Sequence, residues 1–279
     1  YLVHGIYDNH EKSFIENVLH LPPGHLISFQ LAKHIETSPI RWWQPNFNNI
    51  STLSFVDAAA EIREKFLVNV KLHLRSDVPI GVALSGGIDS SAIVCAMRYL
   101  EPKMPIHTFT YIAENCDFNE ESWANKVNKH VGAIPHQVFL SKDSLLSDLE
   151  DMIIAQGEPF GSTSIYAQYC VFKHAKEAGI TVMLEGQGAD ELLAGYDGYP
   201  GFRLLSLLEN REYVPFIKFL NNWAKWPNRS HKLAIMELAR ILFPDQIYAT
   251  ARKYLGRDFR PNWLNIDMLK GHGIAFTEN

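Results

Sequence analysis

Between residues 79 and 184 the hydrophobic period keeps switching, and this alternation constrains the fold more than any other property of the chain. Apolar runs at 79–84, 106–112, 134–140 and 180–184 are short and nearly continuous. Such runs suit strands covered on both faces. Between them lie segments of helical spacing at about 90–100, 119–130, 143–155 and 163–178, the last stopped by Gly179. Strands alternating with helical segments imply an α/β fold: a parallel sheet, right-handed crossovers and helices on both faces. In such sheets ligands bind outside the carboxyl ends of the strands.

The flanks read differently. Before residue 50, short apolar stretches such as 26–29 sit between turn signals, Pro22-Pro23-Gly24 among them, and are followed by Arg41-Trp42-Trp43-Gln44-Pro45. These predict short strands and turns, a β-rich region over 1–47. Ser54 and Asp57 form a capping box, and Phe55, Ala58, Ile62, Phe66, Val70 and Leu74 recur at helical spacing. A helix over 54–75 follows, with a linker near 45–53 and a second domain over 52–279. Beyond Gly201 the pattern is mainly helical, and Trp223, Trp226 and Trp263 are expected to pack in its core.

Bulk properties narrow the function classes. With 279 residues, 47% hydrophobic and 20% charged, the chain can bury a sizeable core and shows no signature of disorder. A net charge of -5 provides no global basic field, so a small-molecule substrate is favoured over nucleic acid. Cys95, Cys116 and Cys170 have neither disulfide-framework nor zinc spacing, which fits a reducing cytoplasm. The chain has no run of about 18 apolar residues and no signal peptide, so no membrane partner is expected. Its twelve histidines form no H-E-x-x-H cluster and read as scattered surface or core residues. It begins at Tyr1 rather than Met, which suggests a processed or excised chain.

The chemistry is concentrated in two strings. Leu84-Ser85-Gly86-Gly87-Ile88-Asp89-Ser90-Ser91 follows an apolar run and opens a helix. Its glycines let backbone N–H groups approach a phosphate, and the helix N-terminus adds partial positive charge. Asp89 would repel a phosphate unless a divalent cation lies between them, so the string points to phosphate plus magnesium. A plain strand-to-helix turn capped by Asp89 and Ser90 is the bland alternative. No G-K-[ST] follows, so this is not a Walker A loop. The second string, Glu185-Gly186-Gln187-Gly188-Ala189-Asp190-Glu191-Leu192-Leu193-Ala194-Gly195-Tyr196, also follows an apolar run. Its glycines permit close approach of a ligand, and Asp190 offers a second oxygen for the cation. Here the bland alternative is a Gly-rich loop with Asp190 and Glu191 capping a helix.

The first string resembles the pyrophosphate loop of the ATP pyrophosphatase superfamily, whose members cleave ATP between the α and β phosphates and share an adenine nucleotide alpha hydrolase-like fold. On that string alone the substrate stays open. The second is similar to the S-G-E-G-A-D-E-x-x-x-G-Y signature of glutamine-hydrolysing asparagine synthetases. In register with that family are Gly157-Glu158-Pro159-Phe160 with Ser162 and Ser164, Phe118-Asn119-Glu120 with Ala124, Val127 and Gly132, and His136. The resemblance covers about 54–200 well. More weakly, 1–47 looks like the end of the family's glutaminase domain, with its L-P-P-G-H turn and terminal W-W. No counterpart of that domain's N-terminal Cys, nor of the family's R-x-P-F-L-D segment and K-x-x-L-R lysine, is found. The resemblance therefore implies a middle fragment, inactive alone.

In the family that the chain resembles, ATP activates a carboxylate, the β-carboxylate of aspartate, as an acyl-adenylate, and ammonia derived from glutamine converts it to the amide. By that resemblance Ser85, Gly86, Gly87, Asp89 and Ser90 would hold pyrophosphate, and Asp89 and Asp190 would bind magnesium. Leu84, Tyr111, Glu185 and Gly186 would face the adenosine through backbone contacts. Gln187 and Asp190 occupy the catalytic positions, and a homodimer is compatible with the family. Three positions depart from it: Gln187 replaces a Glu, Glu185 a Ser, and Gly157 an acidic residue. An amide cannot serve as a general base near neutral pH. Another carboxylate acceptor, or nucleotide binding without turnover, therefore stays open beside asparagine synthesis.

Overall fold

The computed structural model describes residues 10–30, 38–47, 51–113, 120–140, 142–162, 164–243 and 265–273. Cys116, Phe118, Asn119 and Trp263, named above, lie outside them. The chain divides into two compact units, Tyr1–Gly186 and Gln187–Asn279.

Before residue 50 the described residues form an antiparallel pair, β1 (His25–Leu26) and β2 (Ile40–Arg41), and an isolated bridge between Lys12 and Leu19. The run 26–29 does not continue β1, and Phe29 is exposed. Helix α1 (Phe55–His73) starts as its capping residues require: Ser54 Oγ accepts the Asp57 N–H at 3.2 Å and donates to Asp57 Oδ2 at 2.6 Å. Only the later half of its apolar face is packed. Phe66, Leu67, Val70 and Leu74 reach the core, whereas Phe55 is 88% exposed and Ile62 54%.

The alternation then unfolds as the period predicts. In order come β3 (Ile80–Ala83), α2 (Ile88–Leu100), β4 (His107–Ile112), α3 (Glu121–Val131), β5 (Ile134–Phe139), α4 (Lys142–Gln156), α5 (Ser164–Glu177) and β6 (Val182–Leu184). The last strand is shorter than the run 180–184. Gly179 adopts φ +76°, and the Ile180 N–H bonds back to Ala175 O at 2.9 Å, so Ile180 still belongs to the helix-ending turn.

All pairings in this sheet are parallel, in the order β5-β4-β3-β6. Period two assigns its faces. Val82 and Leu84 pack with residues of α1, α2 and α3, while Ala83 packs on the opposite side with Val171 and Ala175 of α5. Helices thus cover both faces. Two buried threonines are paired: Thr108 Oγ1 donates to Asn128 Oδ1 at 2.7 Å, and Thr110 Oγ1 to Leu84 O at 2.8 Å. The chain moves outward through β4 and β5 and then returns to lay β6 on the far side of β3. The strand order therefore reverses between β3 and β6, where a crevice opens at the carboxyl ends of an α/β sheet.

The described residues of the second unit form helices: α6 (Ala189–Leu193), α7 (Tyr199–Glu209), α8 (Tyr213–Trp223), α9 (His231–Leu242) and α10 (Ile266–Gly271). Leu204, Ala234 and Leu238 form its core, with Phe216, Phe219, Leu220 and Trp223 against them. Trp223 fulfils its expected packing role. Trp226 does not: it follows the end of α8 and is 64% exposed. Among the described residues no helix is long and apolar enough to cross a membrane.

Candidate functional site

The first string occupies the turn from β3 into α2, and side-chain chemistry explains its shape. Ser85 Oγ lies 3.0 Å from Ser90 Oγ and accepts the Gly87 N–H at 3.1 Å. Ser90, which is buried, donates to Gly87 O at 3.3 Å and receives the Ser85 N–H at 3.3 Å. The two serines therefore tie the loop into a closed turn, with little freedom left for Gly86 and Gly87. Gly86 has φ +83°, and a Cβ there would sit 2.6 Å from Ala124 N and 2.7 Å from Trp123 Cβ. Only glycine lets the turn lie against the start of α3.

Gly87 is the N-cap of α2 and makes no side-chain cap hydrogen bond. The first N–H groups of a helix have no partner within it, and here the cap residue supplies none. Asp89 lies half-buried in this first turn, and its carboxylate has no hydrogen-bond or ion-pair partner among the described residues. Ser91 Oγ, in the same turn, is buried with no hydrogen-bond partner among the described residues. An uncapped helix N-terminus favours an anion, and an unpaired carboxylate beside it favours a hard cation. These residues fit a phosphate–magnesium pair.

The start of the second string meets the first. Gly186, just beyond β6, is so close to α2 that a Cβ on it would come within 3.1 Å of both Asp89 Cβ and Ser90 N. Glu185 is half-buried, and Gln168 Nε2 of α5 donates to its Oε1 and Oε2 at 3.3 and 3.2 Å. Tyr111, on β4, is 38% exposed. Leu84 contributes no side chain to any ligand surface. It is 1% exposed, its N–H bonds to Phe109 O, and its carbonyl accepts Thr110 Oγ1, leaving one carbonyl lone pair. The first unit thus brings together Leu84, Ser85, Gly86, Gly87, Asp89, Ser90, Tyr111, Glu185 and Gly186 at the carboxyl ends of β3, β4 and β6.

Gln187 and Asp190 belong to the second unit. Gln187 is exposed, and Asp190 sits in the first turn of α6. Gly195 is glycine for want of space, since a Cβ there would overlap Asp190 Oδ1. Tyr196 OH donates to Glu191 Oε1 at 3.0 Å, and this bond raises the phenol's pKa.

The remaining matched positions have structural duties. The carboxylate of Glu158 accepts the Phe14 N–H at 3.0 Å and pairs with His20 Nε2 at 3.2 Å. The Phe14 bond, with help from His20, holds its pKa below the usual carboxylate range. Gly157 has φ +75° and open space around it, so backbone conformation rather than crowding suits glycine there. His136 stacks on Phe109 at 4.4 Å and lies 3.0 Å from His107 Nδ1 through Nε2. Burial, then the neighbouring His107 and His174, lowers its pKa. Among the described residues no group of three or more His, Cys, Asp or Glu could hold a metal ion.

Two supports of the site lie outside both strings. Trp123 and Ala124 back the phosphate-type loop, and Gln168 holds Glu185. A signal for Gln168 existed, because it shares the helical row of Val171 and Ala175, a polar residue in an apolar stripe.

The family model for asparagine synthase matches residues 61–266. Asparagine synthetase [glutamine-hydrolyzing] 1 of Bacillus subtilis is 34% identical over 139 residues, covering 50% of this chain and 22% of that protein. Asparagine synthetase [glutamine-hydrolyzing] 2 of the same organism is 29% identical over 238 residues, 81% of this chain and 30% of that protein. The chain thus spans under a third of these relatives. A solved NH3-dependent NAD synthetase of Campylobacter jejuni aligns with TM-score 0.35 and 13% identity, over 66% of this chain and 93% of that one.

Proposed function

As the chain belongs to the asparagine synthase family, we propose that it carries the ATP-dependent, amide-forming half of such an enzyme. One observation carries this reading: the uncapped start of α2, with unpaired Asp89 in its first turn and Gly186 seated on it, at the point where the sheet order reverses. That geometry suits a polyphosphate and a hard cation at the mouth of an α/β sheet.

In the proposed reaction a carboxylate oxygen attacks the α-phosphorus of ATP, and the bond to the β-phosphate oxygen breaks to release pyrophosphate. Ammonia then attacks the acyl carbon of the mixed anhydride, AMP leaves, and the nitrogen loses a proton. Ser85, Gly86, Gly87, Ser90 and the α2 N-terminus hold the pyrophosphate oxygens, and the uncapped N–H groups of the first helical turn are the donors already in position there, which lower the barrier most. Magnesium, when bound, offsets the charge growing on the leaving group. Asp89 is the residue of this turn to hold it, and Asp190 is proposed as a magnesium ligand on the family resemblance alone. Tyr111, Glu185 and Gly186 face the nucleoside, with Leu84 restricted to its carbonyl.

Aspartate is the acceptor this family membership favours, with glutamine or ammonia as nitrogen source, and residues 1–47 belong to the glutamine-hydrolysing part. Gln187 supports a second reading. A neutral amide cannot take the proton lost by nitrogen, so another carboxylate acceptor, or nucleotide binding without turnover, fits that position too. ATP–pyrophosphate exchange by the full-length protein, measured across a panel of carboxylic acids, separates the readings. Exchange with aspartate supports asparagine synthesis, and exchange only with another acid supports a different acceptor. Magnesium-dependent ATP binding with no exchange for any acid supports binding alone, and absence of ATP binding refutes the site.

A further inference from the structure

Glu185, the residue after β6, is a carboxylate of the first unit that lies beside the string 84–91 and is held by a neutral donor. Gln168 Nε2 reaches both of its oxygens, at 3.3 and 3.2 Å. Glu185 and Gln168 are both half-buried. Gln168 extends from α5, on one face of the sheet, and Glu185 is the residue after β6. Gly186, its neighbour, rests on Asp89 and Ser90.

A carboxylate has about four lone-pair positions, so sharing one amide between its oxygens leaves each able to accept again. The side chain is thus aimed and still available. A negative charge here is unfavourable toward polyphosphate, and Asp89 already supplies a carboxylate on α2 for a cation. In the nucleoside half of the nucleotide, which carries no positive charge, the ligand chemistry left for Glu185 is a neutral hydrogen-bond donor.

We propose that Glu185, aimed by Gln168, is a specificity-determining residue that accepts hydrogen bonds from the nucleoside half of the bound nucleotide, from a ribose hydroxyl or from the exocyclic amine. The proposal rests on the nucleotide-site reading above. Gln168 is a positioning residue: it acts through Glu185 and touches no ligand. The serine that the family signature carries at the position of Glu185 lacks the reach and the second oxygen for this contact.

Calorimetry of the whole chain with magnesium and ATP, 2′-deoxy-ATP, 3′-deoxy-ATP or ITP tests it, each with the unaltered protein, Glu185→Ser and Gln168→Leu. The unaltered protein should bind ATP about ten-fold more tightly than the analogue lacking the contacted donor, as expected for a hydrogen bond to a charged group. Loss against the deoxy forms identifies a ribose hydroxyl, and loss against ITP identifies the amine. Glu185→Ser should bring the ratio close to one, and Gln168→Leu should reduce it while leaving the unfolding midpoint nearly unchanged. A purely structural role for Gln168 would move the midpoint and spare the ratio, which would overturn its positioning role. If the unaltered protein binds ATP but its discrimination survives in Glu185→Ser, this proposal falls and the nucleotide site stands. If Glu185→Ser weakens all four nucleotides equally and alters the magnesium dependence, the carboxylate acts on the cation and the proposal falls. No ATP binding by the unaltered protein overturns the site reading as well.

Discussion

Replacing Gly86 by alanine tests whether the phosphate-type loop is held by packing against α3. The position combines two costs: φ +83°, and a Cβ that would lie 2.6 Å from Ala124 N and 2.9 Å from Trp123 C. Left-handed φ costs an alanine about 1 kcal/mol. Because the obstructing atoms are helix backbone rather than flexible side-chain ends, relief requires moving the loop or α3, at about 2 kcal/mol more. Gly132, the C-cap of α3, is a natural control, with φ +62° and nothing within 4 Å of the place a Cβ would take. Gly132→Ala therefore carries the conformational cost of about 1 kcal/mol without the clash. Both substitutions share the gain from a stiffer unfolded chain, which cancels in the comparison. Urea denaturation followed by circular dichroism should show Gly86→Ala less stable than Gly132→Ala by about 2 kcal/mol. Mg-ATP affinity should fall in Gly86→Ala only. Equal stability loss in the two variants would refute the claim that α3 fixes the loop.

Asp89→Asn and Asp190→Asn should each weaken Mg-ATP binding about ten-fold or more in calorimetry, since each removes a formal charge from a site that must balance a polyphosphate; unchanged affinity in both would remove the metal role. In the full-length protein, Gln187→Glu should raise ammonia-dependent amide formation more than pyrophosphate exchange, and an equal or reduced amide rate would argue that Gln187 is suited to another acceptor. Glu158 gives a pH test: its folded pKa is held below the ordinary 4.5, chiefly by the Phe14 N–H, so its stabilisation is present above that value and is lost as pH falls through the folded pKa. Glu158→Gln should therefore be less stable than the unaltered protein at neutral pH in urea melts, and the two should converge as pH falls through the lowered pKa of Glu158. A gap that persists in acid would show that something other than the carboxylate charge is lost.

The sheet was legible because each strand is a short apolar run between helical periods, and that pattern does not depend on distant contacts. Boundaries failed where a local turn competed. The run at 180 reads as strand, yet Ile180 is held by the C-terminal turn of α5 through its bond to Ala175 O. Helical spacing identified the apolar face of α1 but could not tell that Phe55 and Ile62 would stay exposed, since periodicity says which residues share a face and not what covers it. The site strings were legible from their glycines and carboxylates. Their support was not: Trp123, Ala124 and Gln168 come from elements brought in by the sheet order, and no spacing in the sequence connects 86 with 123 or 185 with 168.

The glycines in the two strings do more than admit a ligand. Gly86 lies against Trp123 and Ala124, Gly186 against Asp89 and Ser90, and Gly195 against the carboxylate of Asp190. Within each unit, then, a glycine packs directly on the residues proposed to carry the chemistry or on those that back them, and a side chain in its place would displace them. This makes the glycine spacing a record of how each loop docks on its own unit. The positions that depart from the asparagine synthetase signature are of the other kind. Gln187 is exposed, and Glu185 is met by a flexible Gln168 side chain rather than by backbone. Changes there alter what a ligand meets without moving the loops, so a chain can keep the site's framework while changing its acceptor or its nucleotide preference. Glu185 and Gln187 are accordingly where substrate differences within such a framework should be sought first.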